Sequence, residues 1–235
     1  MGTDKMNASV AYMLEKAASV LGPMLSKLVF TGGAVVPIYL DKNPTEFRPT
    51  QDVDCVIEVA GRASYGRLEE ELRRLGLKND IQSGVICRWI ADDILIDIMP
   101  TDKNILGFTN SWYKKGLENG VLSPLPSGKR ILVFTYEHLL CSKIEAFWSR
   151  GAGDILTSKD MEDVVMLLAF SSRADGLLKT DNEILRHLAE EFRKLLSLRN
   201  YLEEIGGFFL PDKKSQAKVR EVAELMNNTI VLGKQ

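Results

Sequence analysis

The sequence predicts an α+β protein in which a small mixed β-sheet with helices packed on it precedes an all-helical C-terminal lobe. Short apolar runs typical of strands occur only in the first part of the chain. They are few, and two of them are joined like an antiparallel hairpin, which argues against a long doubly wound sheet. From residue 135 onward nearly every segment has helical apolar spacing. We therefore expect one domain at residues 1–134 and a second at residues 135–235.

The strands of the first lobe are predicted from apolar runs bounded by turn residues. The first run ends in the tight turn Thr31-Gly32-Gly33, and the polar stretch at residues 42–51 is expected to be a loop because it contains Pro44 and Pro49. Ala91-Asp92-Asp93 joins two later runs as a hairpin. The predicted strands lie at residues 27–30, 52–57, 85–90, 94–99 and 129–134.

The helices are predicted from apolar residues that recur on one helical face. One of them contains Pro37 near its start, where proline is tolerated because that N–H would have no helical partner. The predicted helices of the first lobe lie at residues 6–21, 34–40, 62–75 and 111–119, and those of the second lobe at residues 136–150, 159–171, 182–205 and 216–231.

Composition restricts the classes of function that the chain can serve. A formal net charge of −2 and a pI of about 5.8 create no global basic field that would indicate nucleic acid. The two histidines, His138 and His187, are too few for a histidine-based zinc site. Cys55, Cys87 and Cys141 are widely spaced in apolar segments, and we expect them to be reduced core residues.

The apolar runs of the chain also predict a cytoplasmic protein without a membrane partner. The N-terminus leads into an amphipathic stretch instead of the apolar core of a signal peptide. No run approaches the roughly 20 apolar residues that a bilayer span requires.

Three aspartates in apolar strands are the main candidates for chemistry. Asp52 and Asp54 stand at i and i+2 of one predicted strand and so project from the same face, and Asp97 lies in a later strand. Crowded, buried carboxylates repel one another, and a hard divalent cation relieves that cost. We therefore expect Asp52, Asp54 and Asp97 to bind Mg²⁺ or Mn²⁺. The alternative is that Asp52 caps a loop and Asp54 forms an ion pair with Arg48 or Arg88.

Thr31-Gly32-Gly33 is a candidate phosphate-binding element. Glycines let the backbone approach a ligand closely, and free N–H groups at the start of a helix favour phosphate. A Gly-Gly pair is by itself more often an ordinary turn, and its proximity to the aspartate strand in sequence is what favours the functional interpretation.

These residues resemble the polymerase-β-type nucleotidyltransferase superfamily. The resemblance rests on Gly32-Gly33, on Asp52-Val53-Asp54 and on Asp97 in a hydrophobic strand. It implies transfer of a nucleoside monophosphate from a nucleoside triphosphate to an acceptor hydroxyl, with release of pyrophosphate. It also implies that the three aspartates bind the metal ion, that Thr31, Gly32 and Gly33 grip the phosphates, and that Asp97 acts as a base toward the acceptor.

The second half of the chain is similar to the AbiEii branch of that superfamily. The matching segments are the run from Lys143 to Arg150, the run from Ser158 to Val164, and Arg48-Pro49-Thr50-Gln51 before the aspartate pair. Together with the glycine turn they extend over residues 30–170. The similarity implies a toxin-like enzyme of a toxin–antitoxin or phage-defence system, with RNA such as tRNA as acceptor and a cognate antitoxin as partner.

Four charged residues on two predicted helices have two interpretations. Lys143 and Arg150 share one helix face, and Asp160 and Asp163 share a face of the next helix. They form an inter-helix set of salt bridges, or Lys143 and Arg150 contact triphosphate oxygens while Asp160 or Asp163 orients the lysine. Other basic residues are usually only solvated, but near Trp112, Tyr113 and Trp148 some could line a groove for a nucleic-acid acceptor. These are Lys114, Lys115, Lys129, Arg130, Arg193, Lys194 and Arg199.

Two other functions stay open at this point. One is a nucleotidyltransferase that modifies a small molecule such as an aminoglycoside. The other is a non-catalytic regulatory module that binds a nucleotide without transferring it.

Overall fold

The computed structural model describes residues 8–42, 48–150 and 154–234. The chain divides into two compact units, of which the first comprises Met1–Ile38 and Arg48–Leu139 and the second comprises Tyr39–Phe47 and Leu140–Gln235. The predicted α+β class is confirmed, because a seven-stranded mixed sheet with helices lies in the first unit and the chain is helical after it. The predicted domain boundary after residue 134 lies five residues before the boundary between Leu139 and Leu140.

The sheet of the first unit has the strand order β3-β4-β5-β2-β1-β7-β6. The pairs β2–β5 and β1–β7 are parallel and the other four pairs are antiparallel. The central strands are buried on both faces, which explains their nearly continuous apolar sequence. The strands are β1 (Leu28–Thr31), β2 (Asp52–Ile57), β3 (Lys78–Asn79), β4 (Arg88–Ala91), β5 (Ile94–Pro100), β6 (Val121–Pro124) and β7 (Arg130–Val133).

The predicted hairpin is present, but its first strand is shorter than expected. Ala91 pairs with Ile94 across the turn, and Asp92 adopts a left-handed conformation with φ of 53°. Residues 85–87 were predicted to be strand and are not, because the chain turns there and the Arg88 N–H donates to the Val85 carbonyl. The hairpin therefore begins at Arg88, directly opposite Asp97.

The helices of the first unit bury the apolar face that the spacing of their apolar residues predicts. The first helix packs Val10, Leu14 and Ala17 into the core and contacts β2 and β5. The helix predicted at residues 34–40 is a single turn, since a turn closed by the Val35 N–H on the Gly32 carbonyl precedes it. The helices are α1 (Ala8–Val20), α2 (Val36–Tyr39), α3 (Gly61–Arg74), α4 (Lys103–Leu106) and α5 (Trp112–Glu118), with a 3₁₀ helix at Gly22–Lys27.

From Tyr136 onward the described chain is helical, as predicted, and α8 and α10 pack extensively against each other in the second unit. The helices are α6 (Tyr136–Ser149), α7 (Lys159–Phe170), α8 (Asn182–Ser197), α9 (Tyr201–Ile205) and α10 (Lys213–Leu232), with 3₁₀ helices at Ser172–Lys179 and Gly206–Phe208. Helix α10 begins three residues before the predicted residue 216, because the Asp212 side chain caps the N–H groups of Lys214 and Ser215.

The prediction of one continuous helix over residues 182–205 is wrong. Leu198 is extended, with φ of −66° and ψ of 139°, and Asn200 is left-handed, with φ of 60°. Asparagine is among the few residues that tolerate this conformation, and the helix is interrupted there. The apolar spacing continues through the break because both helices bury one side, and the spacing alone therefore concealed it.

Two other expectations concern the whole chain. None of the helices within the described ranges combines the length and the apolar character that crossing a bilayer requires. Cys55, Cys87 and Cys141 are all buried and none of them forms a disulfide, as predicted for core residues.

Candidate functional site

The parallel pairing of β2 with β5 brings the three predicted aspartates to one part of the sheet. Asp54 and Asp97 are register partners across the two strands, and Asp52 precedes Asp54 by two residues on the same face. Asp97 is buried, and Asp52 and Asp54 are partly buried. The spacing within β2 and the register of β5 thus concentrate three carboxylates in a setting that disfavours uncompensated negative charge.

Arg88 compensates part of that charge. Its Nε lies 2.8 Å from Oδ1 of Asp97, and its Nη2 lies 2.8 Å from Oδ2 of Asp97 and 2.6 Å from Oδ2 of Asp52. The hydrogen bonds to Asp97, and the nearby charges of Asp52 and Asp54, raise the pKa of Arg88 above its already high value. Arg88 forms ion pairs with Asp52 and Asp97. The alternative that Asp54 pairs with Arg48 or Arg88 stays a prediction.

The glycine turn lies directly against this carboxylate group. Thr31, at the end of β1, is the register partner of Asp54, so the turn begins where the aspartate strand passes. Gly32 has φ of 71°, and a Cβ at that position would lie 1.8 Å from Oδ2 of Asp54. A Cβ at Gly33 would lie 3.2 Å from Oγ1 of Thr50. Two motifs that are about twenty residues apart in sequence therefore form one site, and it has no room for a side chain at Gly32.

Replacing Gly32 with alanine is expected to cost more stability than the same change at Gly84. Both glycines have nearly the same backbone, with φ of 71° and 72°, so the strain of roughly 1–2 kcal/mol for a left-handed alanine applies to both. At Gly84 the new Cβ has nothing within 4 Å, whereas at Gly32 it must displace the Asp54 carboxylate. Urea unfolding of both variants measures the difference. Equal losses of unfolding free energy would contradict the close approach of Gly32 to Asp54.

A second charged cluster lies in the second unit, between α6 and α7. Lys143 Nζ is 3.0 Å from Asp160 Oδ1 and 2.7 Å from Asp163 Oδ2, and Arg150 Nη1 is 3.1 Å from Asp160 Oδ2. Ser158 caps the first turn of α7 by accepting from the Met161 N–H. The predicted inter-helix set of salt bridges is therefore present.

The members of this second cluster differ in how deeply their side chains are buried. The side chains of Lys143, Asp160 and Asp163 are 10%, 6% and 0% exposed, whereas that of Arg150 is 71% exposed. A buried cation between two buried carboxylates is needed for the charge balance of the helix pair. The contact of Lys143 and Arg150 with a triphosphate stays a prediction.

The carboxylates of the first unit match the chemistry of a divalent-cation site. Carboxylate oxygens are the ligands that Mg²⁺ and Mn²⁺ take, and three such residues share one face here. Within the described ranges, no group of three or more His, Cys, Asp or Glu side chains is arranged to hold a metal ion. The cation that contacts both Asp52 and Asp97 is the guanidinium of Arg88, and a divalent-cation site at these residues stays a prediction.

Two contacts of the aspartates, with Arg88 and with Thr50, were not predicted from the sequence. The role of Arg88 follows from the hairpin, since pairing of Ala91 with Ile94 places Arg88 opposite Asp97. Counting back from the turn would have placed Arg88 opposite Asp97, but would not have revealed its contact with Asp52. Thr50, whose Oγ1 lies 3.4 Å from Oδ1 of Asp52, belongs to the matched segment Arg48-Pro49-Thr50-Gln51, but no role was predicted for it.

The aromatic residues suggested for an acceptor groove have other roles. Trp112 is only 5% exposed and packs edge-on against His138. The groove suggested for the basic residues near these aromatics stays a prediction. Trp148 donates its Nε1 hydrogen to Glu191 at 2.6 Å. Tyr113 packs edge-on against Phe134.

The fold and the site define an α+β protein with an acidic cluster in the middle of a mixed sheet. No model of a known protein family matches the chain, and no curated protein matches it. Among solved structures, the chain is similar to the crystal structure of JHP933 from Helicobacter pylori. The identity is 10%, the alignment covers 97% of this chain and 92% of that chain, and the TM-score is 0.41, a likeness too weak to carry an argument.

Proposed function

We propose that this protein is a divalent-cation-dependent nucleotidyltransferase of the polymerase-β type. The observation that carries the proposal is the register of β2 with β5, which pairs Asp54 with Asp97 and leaves Asp52 on the same face. The contact between Gly32 and Asp54 adds support, because it joins the two sequence motifs of the resemblance in one place. The rest of the functional proposal is based on the resemblance of the sequence motifs to the nucleotidyltransferase superfamily.

In the proposed reaction an acceptor hydroxyl attacks the α-phosphorus of a nucleoside triphosphate. A bond forms between the acceptor oxygen and that phosphorus, the bond to the β-phosphate oxygen breaks, and pyrophosphate leaves. Asp52, Asp54 and Asp97 would hold Mg²⁺ or Mn²⁺, which supplies charge neutralisation at the phosphate oxygens. Asp97 accepts the proton of the acceptor hydroxyl, and the absence of side chains at Gly32 and Gly33 lets the backbone approach the phosphates.

The AbiEii-like role is a further part of the proposal and rests on the sequence resemblance alone. It comprises RNA or tRNA as acceptor, a cognate antitoxin, a cytoplasmic location, and triphosphate contacts from Lys143 and Arg150. The exposed Arg150 is the member of its cluster whose charge solvent can reach. Lys143 is engaged by Asp160 and Asp163, so a structural role accounts for its burial.

The proposal is tested by following the label of a nucleoside triphosphate. Nucleotides labelled at the α- or the γ-phosphate are incubated with Mg²⁺ and with either total RNA or a set of small acceptors that includes aminoglycosides. Nucleotidyl transfer predicts acceptor labelling from the α-phosphate only. Label in RNA favours the toxin-like enzyme and label in a small acceptor favours the small-molecule enzyme. Magnesium-dependent nucleotide binding without transfer to any acceptor contradicts the proposal and favours a non-catalytic module.

A further inference from the structure

Arg88 lies where the carboxylates of the cluster converge. Its Nη2 is within hydrogen-bond distance of both Asp52 and Asp97, at 2.6 and 2.8 Å. Its Nε makes a separate contact of 2.8 Å with the other oxygen of Asp97. One nitrogen of the guanidinium therefore bridges the two carboxylates, and the other secures the group to Asp97 alone.

The bridging position is one that a metal ion would also require. Mg²⁺ lies about 2.0–2.1 Å from its oxygen ligands, so an ion shared by Asp52 and Asp97 would occupy the space that Nη2 now takes between them. Two cations in contact with the same oxygen atoms repel each other strongly in a poorly hydrated setting. The side chain of Arg88 is 18% exposed, so it is not fully enclosed by the protein.

We propose that Arg88 is the resident counter-cation of Asp52 and Asp97 and that a divalent cation binds by displacing its Nη2 from Oδ2 of both residues. The inference rests on the proposed function, because it takes the cluster to be the cation site. The contact of Nε with Oδ1 of Asp97 is compatible with the displaced state, so Arg88 remains attached to Asp97 as a positioning residue. The guanidinium thus stabilises the fold without metal and competes with the metal for the same oxygen atoms.

Competition predicts two effects of opposite sign when the charge of Arg88 is removed. The metal-free protein loses stability, because the carboxylates of Asp52 and Asp97 lose the cation that contacts both of them. Metal binding becomes tighter, because the ion no longer has to break a charge-assisted hydrogen bond. An arginine that only orients the ligands would give the first effect together with weaker metal binding.

The test measures Mn²⁺ binding and thermal unfolding for the intact protein and for Arg88→Met, which keeps much of the length of the side chain without its charge. Free Mn²⁺ is followed by electron paramagnetic resonance in the absence of nucleotide, and unfolding is followed in EDTA and at saturating Mn²⁺. We expect Arg88→Met to bind Mn²⁺ about tenfold more tightly than the wild type. We also expect a lower melting temperature in EDTA and a smaller deficit at saturating Mn²⁺.

Control variants separate the inference from the proposed function. Arg74→Met removes an arginine whose side chain is 75% exposed on α3, and should change neither quantity. Asp54→Asn should weaken Mn²⁺ binding. If it does so but Arg88→Met binds Mn²⁺ no more tightly than the wild type, the competition is refuted and the cation site stands. If Asp54→Asn binds Mn²⁺ as the wild type does, the cation site and the competition both fail. Should Arg88→Met not fold in EDTA, Arg88→Gln is measured instead and must also bind Mn²⁺ more tightly, since its neutral amide likewise lacks the competing charge.

Discussion

Replacing Asp54 with asparagine is expected to reduce nucleotidyl transfer by about 10²–10³-fold while the protein stays folded. Asp54 is the register partner of both Thr31 and Asp97, and its carboxylate packs against Gly32, so it joins the glycine turn to the rest of the cluster. Asparagine keeps the size and shape of the side chain but removes its charge. The reduced transfer rate should therefore result from the missing negative charge near the reacting phosphate and not from altered packing.

The rate is measured as label transferred from an α-labelled nucleoside triphosphate, and folding is checked by urea unfolding. Asp92→Asn is the matched control, because it removes the same charge from a side chain that is 81% exposed. Asparagine also tolerates the left-handed backbone of Asp92, with φ of 53°. Full transfer by Asp54→Asn would mean that the charge of Asp54 is not used in the reaction.

Replacing Lys143 with methionine is expected to lower the free energy of unfolding by about 3–5 kcal/mol. The side chains of Asp160 and Asp163 are 6% and 0% exposed, so removal of the lysine leaves two buried carboxylates without its charge. Methionine fills much of the same volume, and most of the loss is therefore electrostatic. Urea unfolding measures it.

Two comparisons give this second prediction its controls. Arg150→Met removes a cation from the same cluster, but its side chain is 71% exposed, so the change should be at most about 1 kcal/mol. Adding Asp163→Asn to Lys143→Met should recover part of the stability, because it removes one of the two buried charges. A loss below about 1 kcal/mol for Lys143→Met would show that Asp160 and Asp163 do not depend on the lysine.

The sequence predicted those parts of the fold that burial determines. The central strands are apolar on both faces, and the aspartates stand out in them because charge is costly there. The i, i+2 spacing of Asp52 and Asp54 was enough to place both on one face. Their convergence with Asp97 also required that β5 lie beside β2 in parallel, which depends on pairing between distant segments and not on local pattern.

The missed elements are those that burial does not specify. Strand β3 has two residues, and β6 is an edge strand whose residues are mostly exposed, so both are held by backbone pairing and leave no apolar pattern. The break at Asn200 was missed because it depends on one left-handed residue within a continuing stripe. The contacts of the Arg88 guanidinium with Asp97 and Asp52 were missed because the folded structure determines which of several nearby carboxylates an arginine binds.

The central claim is that Asp52, Asp54 and Asp97 form a divalent-cation site that serves a nucleoside triphosphate. Binding of Mn²⁺ in the presence of a triphosphate analogue with a non-cleavable α–β bridge tests it most directly, because no acceptor has to be known. The wild type is expected to bind Mn²⁺ more tightly with the analogue than without it, and excess Mg²⁺ is expected to displace the Mn²⁺ because the two ions compete. Asp54→Asn is expected to lose this nucleotide-dependent Mn²⁺ binding. The same Mn²⁺ binding by the wild type and by Asp54→Asn, with and without the analogue, would contradict the claim.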